Sequence, residues 1–205
     1  MRHPIRQLSV LLLTIAAVCA APAWGQVASG AAEPPRAELA LGYTYVHSNV
    51  PPGGCGCFNL NGGNAIFAWQ LKPGPPNSGA FALVGDVTAA HASGVSPSGY
   101  GLTLSTYTAG ARYQPRFGRS SLQPFGQVLA GVAHSAGTLV SGPGFAASNA
   151  GAAFAAIVGG GADLHLNRRF SLRLADVDYL LTTVDNGSNN RQNNLRVSTG
   201  FVFHF

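Results

Sequence analysis

The closing stretch "LRVSTGFVFHF", Leu195 to Phe205, sets Leu195, Val197, Phe201, Phe203 and Phe205 on one side and Arg196, Ser198, Gly200, Val202 and His204 on the other. A period of two is the signature of a β-strand whose faces meet different surroundings. Most chains end in a frayed polar tail. This one alternates up to its own carboxylate, with the large apolar side chains on one face and the ionised, polar or small ones mostly on the other.

Seven further segments repeat that segregation toward the N-terminus, separated by Gly-, Pro- and Asn-rich connections. They are "ELALGYTYV" (38–46), "NAIFAWQLK" (64–72), "AFALVGDVTAA" (80–90), "LTLSTYTAGARY" (102–113), "PFGQVLAGVAH" (124–134), "AAFAAIVGGGADLHL" (152–166) and "FSLRLADVDYLLTT" (170–183). Leu39, Leu41, Tyr43 and Tyr45 of the first oppose Glu38, Ala40, Gly42 and Thr44. In the seventh, parity breaks between Arg173 and Asp178, where a β-bulge points both charges the same way.

Only 9% of the residues are charged and 27 are glycine, against about 25% charged and 7% glycine in ordinary soluble domains. "MRHPIRQLSVLLLTIAAVCAAPAWGQ" has a basic start, an apolar run and small residues at Ala21–Gly25, the pattern of a secretory signal peptide. We therefore expect residues 1–25 to be cleaved, with the mature chain starting at Trp24 or Gln26, and Val18 argues against lipidation of Cys19. Residues 26–35 form a short periplasmic segment and 36–205 the folded domain. Losing Arg2 and Arg6 lowers the net charge from +5 to +3, and no Lys/Arg run suits nucleic acid.

Eight strands, little charge and no unbroken apolar helix of spanning length point to an all-β chain with its greasy face outward. In hydrocarbon every backbone polar group must be paired, and closure removes the edges. The expected fold is an eight-stranded antiparallel up-and-down transmembrane β-barrel. An even strand number puts both termini on the periplasmic side. "PGPPNSG", "QPRFGRSS" and "NRR" then face the periplasm. "NVPPGGCGCFNLNGG", "SGVSPSGY", "LVSGPGFAASN" and "VDNGSNNRQNN" face outward.

The ending Ser198-x-Gly200-x-x-Phe203-x-Phe205 resembles the C-terminal signal of bacterial outer-membrane barrels, in which a polar residue, a glycine, a hydrophobic residue and a final aromatic are read by the barrel-assembly machinery. Together with the leader and the eight segments, it makes the chain similar to the eight-stranded outer membrane protein A-like β-barrel family over about residues 36–205. "RLADVDYLLT" is also similar to a seventh-strand pattern of some of these barrels. The resemblance implies location in the bacterial outer membrane. It also implies contact with outer-membrane lipid and lipopolysaccharide, and assembly by that machinery. No peptidoglycan-binding domain is expected after Phe205.

Parity turns Glu38, Asp86, Arg112, Asp163, Arg173, Asp178 and Arg196 into the bore. Folding strands six and seven about Asn167–Arg169 sets Asp163 across from Arg173; folding the last two sets Asp178 diagonal to Arg196. A narrow bore has room for little besides such pairs, so we expect a salt-bridge plug. The alternative is a small gated pore for ions or solutes. Cys55 and Cys57, one residue apart in an exported loop, suggest an intraloop disulfide, with free or intermolecularly paired thiols as alternatives. His47, His91 and His134 lie near outer strand ends and with the cysteines offer zinc or copper ligands. Each shares the lipid-facing register of its own strand, so the rings should splay, and no metal or cofactor is expected. His165 and His204 read as hydrogen-bonded bore residues.

Enzymatic readings are weak. Lipid A deacylases pair His as base with a Ser nucleophile, and "YVHSN" superficially resembles that pair. Adjacent strand residues point to opposite faces, so His47 cannot activate Ser48. No phosphate loop, nucleophile elbow or cofactor motif is present. The expected role is structural or surface-interacting rather than catalytic, with a lipid A-modifying hydrolase as the remote alternative.

Overall fold

The computed structural model describes residues 36–48, 57–71, 79–93, 101–115, 120–137, 152–184 and 190–205. The signal peptide, the segment 26–35 and most of the connecting loops, Cys55 included, lie outside the described residues. Eight antiparallel strands close in sequence order: β1 (Ala37–Ser48), β2 (Phe58–Gln70), β3 (Ala80–Ala92), β4 (Leu102–Gln114), β5 (Leu122–Gly137), β6 (Ala152–His165), β7 (Phe170–Thr182) and β8 (Gln192–His204). Closure joins β1 to β8 from Glu38↔His204 to His47↔Leu195. The ladder continues past the strand ends. Phe205 N–H donates to Ala37 O at 2.8 Å, and Phe205 O accepts from Arg36 N–H at 2.9 Å. The last residue is thus part of the wall.

Every strand is at or beyond its expected length, except for small trims at the chain-end tips of β2 and β8, at Leu166 in β6 and at the loop end of β7. β2 gains Phe58–Gly63, β5 gains Ser135–Gly137, and β8 gains Gln192–Asn194, all at the end bearing the long loops. "FNLNGG" and "QNN" carry turn-forming residues, but pairing with neighbouring strands, β1 for the first and β7 for the second, overrides local preference. Leu60, in the first of these, is fully buried. A strand of 13 residues at about 3.3 Å a residue, tilted about 40°, spans about 33 Å along the barrel axis. That matches a bilayer's hydrocarbon core of about 30 Å with a turn to spare.

Burial is inverted relative to a soluble barrel. Leu41, Phe67, Trp69, Phe81, Leu83, Val128, Phe154, Val158, Leu195 and Phe201 are exposed on the wall, Phe67 and Trp69 each by 48%. Glu38, Asp86, Arg112, Asp163, Arg173, Asp178 and Arg196 are all buried. Phe81 stacks on Tyr113 at 4.9 Å and Phe170 on Phe203 edge-on at 5.3 Å, at the end that holds the chain termini.

The parity break in β7 is a bulge. Arg173 pairs with Gly200 and Asp176 with Ser198, so Leu174 and Ala175 face one residue, Thr199. Both leave the bore, and Leu174 is exposed. Arg173 and Asp178 consequently point the same way, and so does Asp176, which is also fully buried.

Candidate functional site

The candidate site is the bore. Its ionised residues form two linked clusters. Arg173 (β7) grips Asp163 (β6) with both ends of its fork, Nε to Oδ1 at 2.8 Å and Nη2 to Oδ2 at 2.9 Å, and Nη1 lies 3.6 Å from Asp176. Arg196 (β8) reaches Asp178 Oδ2 at 2.6 Å and Asp86 Oδ2 (β3) at 2.8 Å, and donates to Thr88 Oγ1 at 2.9 Å. Thr88 in turn donates to Asp86 Oδ1 at 2.8 Å. Asp178 lies directly opposite Arg196 in the ladder rather than diagonal to it. The pair is closer than sequence folding gave, because the β7–β8 ladder runs on into the stretch read as loop, to Thr182↔Gln192.

Gln127 (β5) joins the clusters. Its amide nitrogen donates to Asp176 at 3.1 Å and Asp178 at 3.1 Å, and its carbonyl accepts from Arg112 Nη2 at 2.8 Å. Arg112 (β4) therefore binds an amide, and it stacks over the Phe125 ring at 4.2 Å while Arg173 stacks on the same ring at 4.6 Å. Two guanidinium groups flanking one aromatic ring need a deep, narrow slot, and the Gly159–Gly161 run of β6 provides it. A Cβ on Gly161 would lie 2.8 Å from Phe125 Cζ and one on Gly159 would lie 2.3 Å from Asp178 Oδ1.

At the terminus end a second polar set crosses five neighbouring strands. Gln70 (β2) donates to Glu38 (β1) at 2.9 Å, and Glu38 Oε1 lies 3.6 Å from His204 Nδ1 (β8). Ser171 Oγ (β7) sits between His204 Nε2 at 2.7 Å and His165 Nδ1 (β6) at 2.9 Å. A hydroxyl has one proton, so it donates to one ring and accepts N–H from the other. Ser171 is fully enclosed, with imidazoles on both flanks; its hydroxyl is spent on structure.

Toward the loops, bore character changes. Val46, Leu60, Ala90, Leu102, Leu104, Ala133, Ala155, Ile157 and Leu180 are buried there. Among the described residues, no ionisable side chain enters the bore between that aliphatic layer and the loop ends of the strands.

The structure separates the other sequence-derived residues. His47 faces the outer wall, with Nδ1 2.8 Å from Asn59 Oδ1, whereas Ser48 is buried and donates to Asn194 Oδ1. They occupy opposite faces. Cys57 is exposed with a free thiol, and Cys55, its expected partner, lies outside the described residues. His91 and His134 are exposed on the wall, and among the described residues no three His, Cys, Asp or Glu gather to hold a metal. Of the terminal motif, Ser198 is buried and hydrogen-bonds Thr44, and Phe203 packs on Phe170. A Cβ on Gly200 would fall 2.2 Å from Leu41 O, so glycine is required for strand contact alone.

Sequence reasoning missed Asp176 and Gln127. Asp176 was legible, because it shares parity with Asp178 beyond the bulge. Gln127 carried no signal beyond being polar on the small-residue face.

No family model and no curated protein matches the chain. Among solved structures it is similar to Neisserial surface protein A, with a TM-score of 0.56 and 12% identity over 82% of this chain and 97% of that one. It is also similar to Ail, the attachment invasion locus protein of Yersinia pestis, with a TM-score of 0.53 and 14% identity over 83% of this chain and 100% of that one. Ail in complex with the heparin analogue sucrose octasulfate gives 0.51 and 13%, over 83% and 100%. By strand number, closure and inverted burial, this chain has the fold of the eight-stranded outer-membrane β-barrels.

Proposed function

We propose that the protein is an integral outer-membrane barrel with a closed bore, a structural element whose loop end meets the cell's surroundings. The observation that carries the reading is the layered filling of the bore. Paired charges with Gln127 and Phe125 occupy one part, and aliphatic side chains beginning beside Arg196 fill the part toward the loops. A hydrated ion crossing the molecule would have to break buried ion pairs and then enter an apolar layer, each costly. The exposed apolar wall supports residence in lipid. The fold shared with a surface protein and an attachment protein is in keeping with a surface role.

In this reading both termini face the periplasm and the long connections face outward. Ser198, Gly200, Phe203 and Phe205 act as the signal for the barrel-assembly machinery. Separation of His47 from Ser48 supports a non-catalytic role.

Refolded protein in planar bilayers tests the closed bore. Silence under applied voltage is expected; steady unitary currents from wild-type protein would replace the plug with a pore.

A further inference from the structure

The three wall histidines have no part in the bore, yet they form a pattern. His47 lies opposite Asn59, Asn61 opposite His91, His91 opposite Thr103, and Ser105 opposite His134. The row crosses five neighbouring strands, β1 to β5, within four residues of their loop ends. All its members take the outward register, because Val46, Leu60, Ala90, Leu104 and Ala133 beside them are buried. The opposite end of the same wall offers Leu39, Trp69, Leu83, Tyr113 and Phe203 instead.

We propose that His47, His91 and His134, with Asn59, Asn61 and Thr103, bind the phosphate groups of a phosphorylated glycolipid in the outer leaflet. This deepens the proposed function and rests on its orientation of the barrel. Three physical arguments support it. First, the ring nitrogens are sorted. His47 Nδ1 donates to Asn59 Oδ1 at 2.8 Å and His91 Nδ1 meets Thr103 Oγ1 at 2.9 Å, which leaves Nε2 of each ring for a partner beyond the sheet. With Nδ1 carrying the hydrogen, a neutral His47 ring has a bare Nε2; a proton there makes it a cation and a donor, the two properties a phosphate oxygen selects.

Second, the wall repels no anion. Every described Asp and Glu, that is Glu38, Asp86, Asp163, Asp176 and Asp178, is enclosed in the bore. The titratable neighbours are the phenols Tyr43, Tyr45 and Tyr107 and the exposed thiol of Cys57, with Tyr43 O–H donating to Asn61 Oδ1 at 2.5 Å. Leu195 of β8 flanks His47 and Ala152 of β6 flanks His134. Third, the spacing suits a broad headgroup. With strands about 4.8 Å apart, successive histidines stand about 10 Å apart, too far to share a metal ion but placed to meet separate phosphates.

A protonated imidazole offers phosphate a charge and a second donor that the neutral ring lacks, so binding should tighten as pH falls. The test uses full mature protein in phosphatidylcholine nanodiscs, undoped or doped with a diphosphorylated acylated glucosamine disaccharide or its dephosphorylated form. The readout is the midpoint temperature of the folded-to-unfolded gel shift at about pH 6 and about pH 8. The phosphorylated lipid should raise the midpoint, more at the lower pH, and the H47Q/H91Q/H134Q variant should lose that rise. An equal rise with the dephosphorylated lipid or with phosphatidylglycerol, or a rise that persists in the variant, overturns the proposal. Should the variant fail to fold, imidazole ¹⁵N shifts of wild-type protein decide: His47, His91 and His134 must respond to the phosphorylated lipid and His204 must not. Failure of wild-type protein to give a heat-resistant form in undoped discs would instead overturn the membrane-barrel reading beneath it.

Discussion

Along the axis of the barrel, the bore is filled in two different ways. From the terminus end to mid-barrel, on the β3 to β8 side, Arg112, Arg173 and Arg196 hold Asp163, Asp176, Asp178, Asp86, Gln127 and Phe125 in a connected lattice. Nearer the loops, Val46, Leu60, Leu102, Leu104, Ile157 and Leu180 fill it as they would a soluble core. The first filling is directional and fails if one partner is lost. The second is governed by volume and degrades by degrees. A narrow cylinder in lipid needs both. Its wall earns nothing by facing water, so cohesion must come from strand pairing and from what the strands enclose.

The largest effect should come from the directional half. Arg196→Met leaves Asp86 and Asp178 buried without their cation, and should cost about 3–5 kcal/mol, read from urea unfolding in vesicles. Leu60→Ala in the aliphatic half leaves a cavity and should cost about 2–5 kcal/mol, with the lower figure if the wall relaxes. Equal insensitivity of both sites would erase the contrast.

Conductance sharpens it. Arg173→Ala alone should stay silent in planar bilayers, because the aliphatic layer still bars ions. Arg173→Ala with Leu60→Ser and Leu104→Ser should conduct. Opening by Arg173→Ala alone would place the barrier wholly in the charged half.

Smaller effects resolve the lattice itself. Phe125→Leu removes the ring between Arg112 and Arg173, a loss of about 1–2 kcal/mol. Asp176→Asn should fall within about 1 kcal/mol of wild type. Asp176 shares the Gln127 amide with Asp178 and holds Arg173 only at 3.6 Å, so little depends on its charge. Asp178→Asn should destabilise clearly more, since Arg196 depends on that oxygen at 2.6 Å. A reversed order would reassign the structural acid.

The fold was legible because membrane burial makes alternation visible: Phe201, Phe203 and Phe205 cannot be read otherwise beside Arg196 and His204. Strand ends near the loops were not, because Asn59, Gly62, Gly63 and Asn194 carry turn chemistry that only neighbouring strands override. The ionised bore residues followed from parity, and folding at the turns set Asp163 across from Arg173 and Asp178 near Arg196; the rest of the lattice was not legible. Arg112 binding Gln127, and the bridge from Gln127 to two carboxylates, depend on the three-dimensional stagger of β4, β5 and β7. The aliphatic layer was hidden for a related reason: Leu60 lies in a stretch read as loop, and Leu102 and Leu104 begin a strand whose alternation was read from its other end.

The central claim is that the large apolar side chains face hydrocarbon. Trp69 tests it most directly, being exposed by 48% on the wall. In a W24F background Trp69 is the sole tryptophan, and its fluorescence can be measured in vesicles of brominated phosphatidylcholine. Strong quenching by bromine on the acyl chains, with little by aqueous iodide, is the predicted result. Quenching by iodide with none by bromolipid would put Trp69 in water and contradict the membrane barrel.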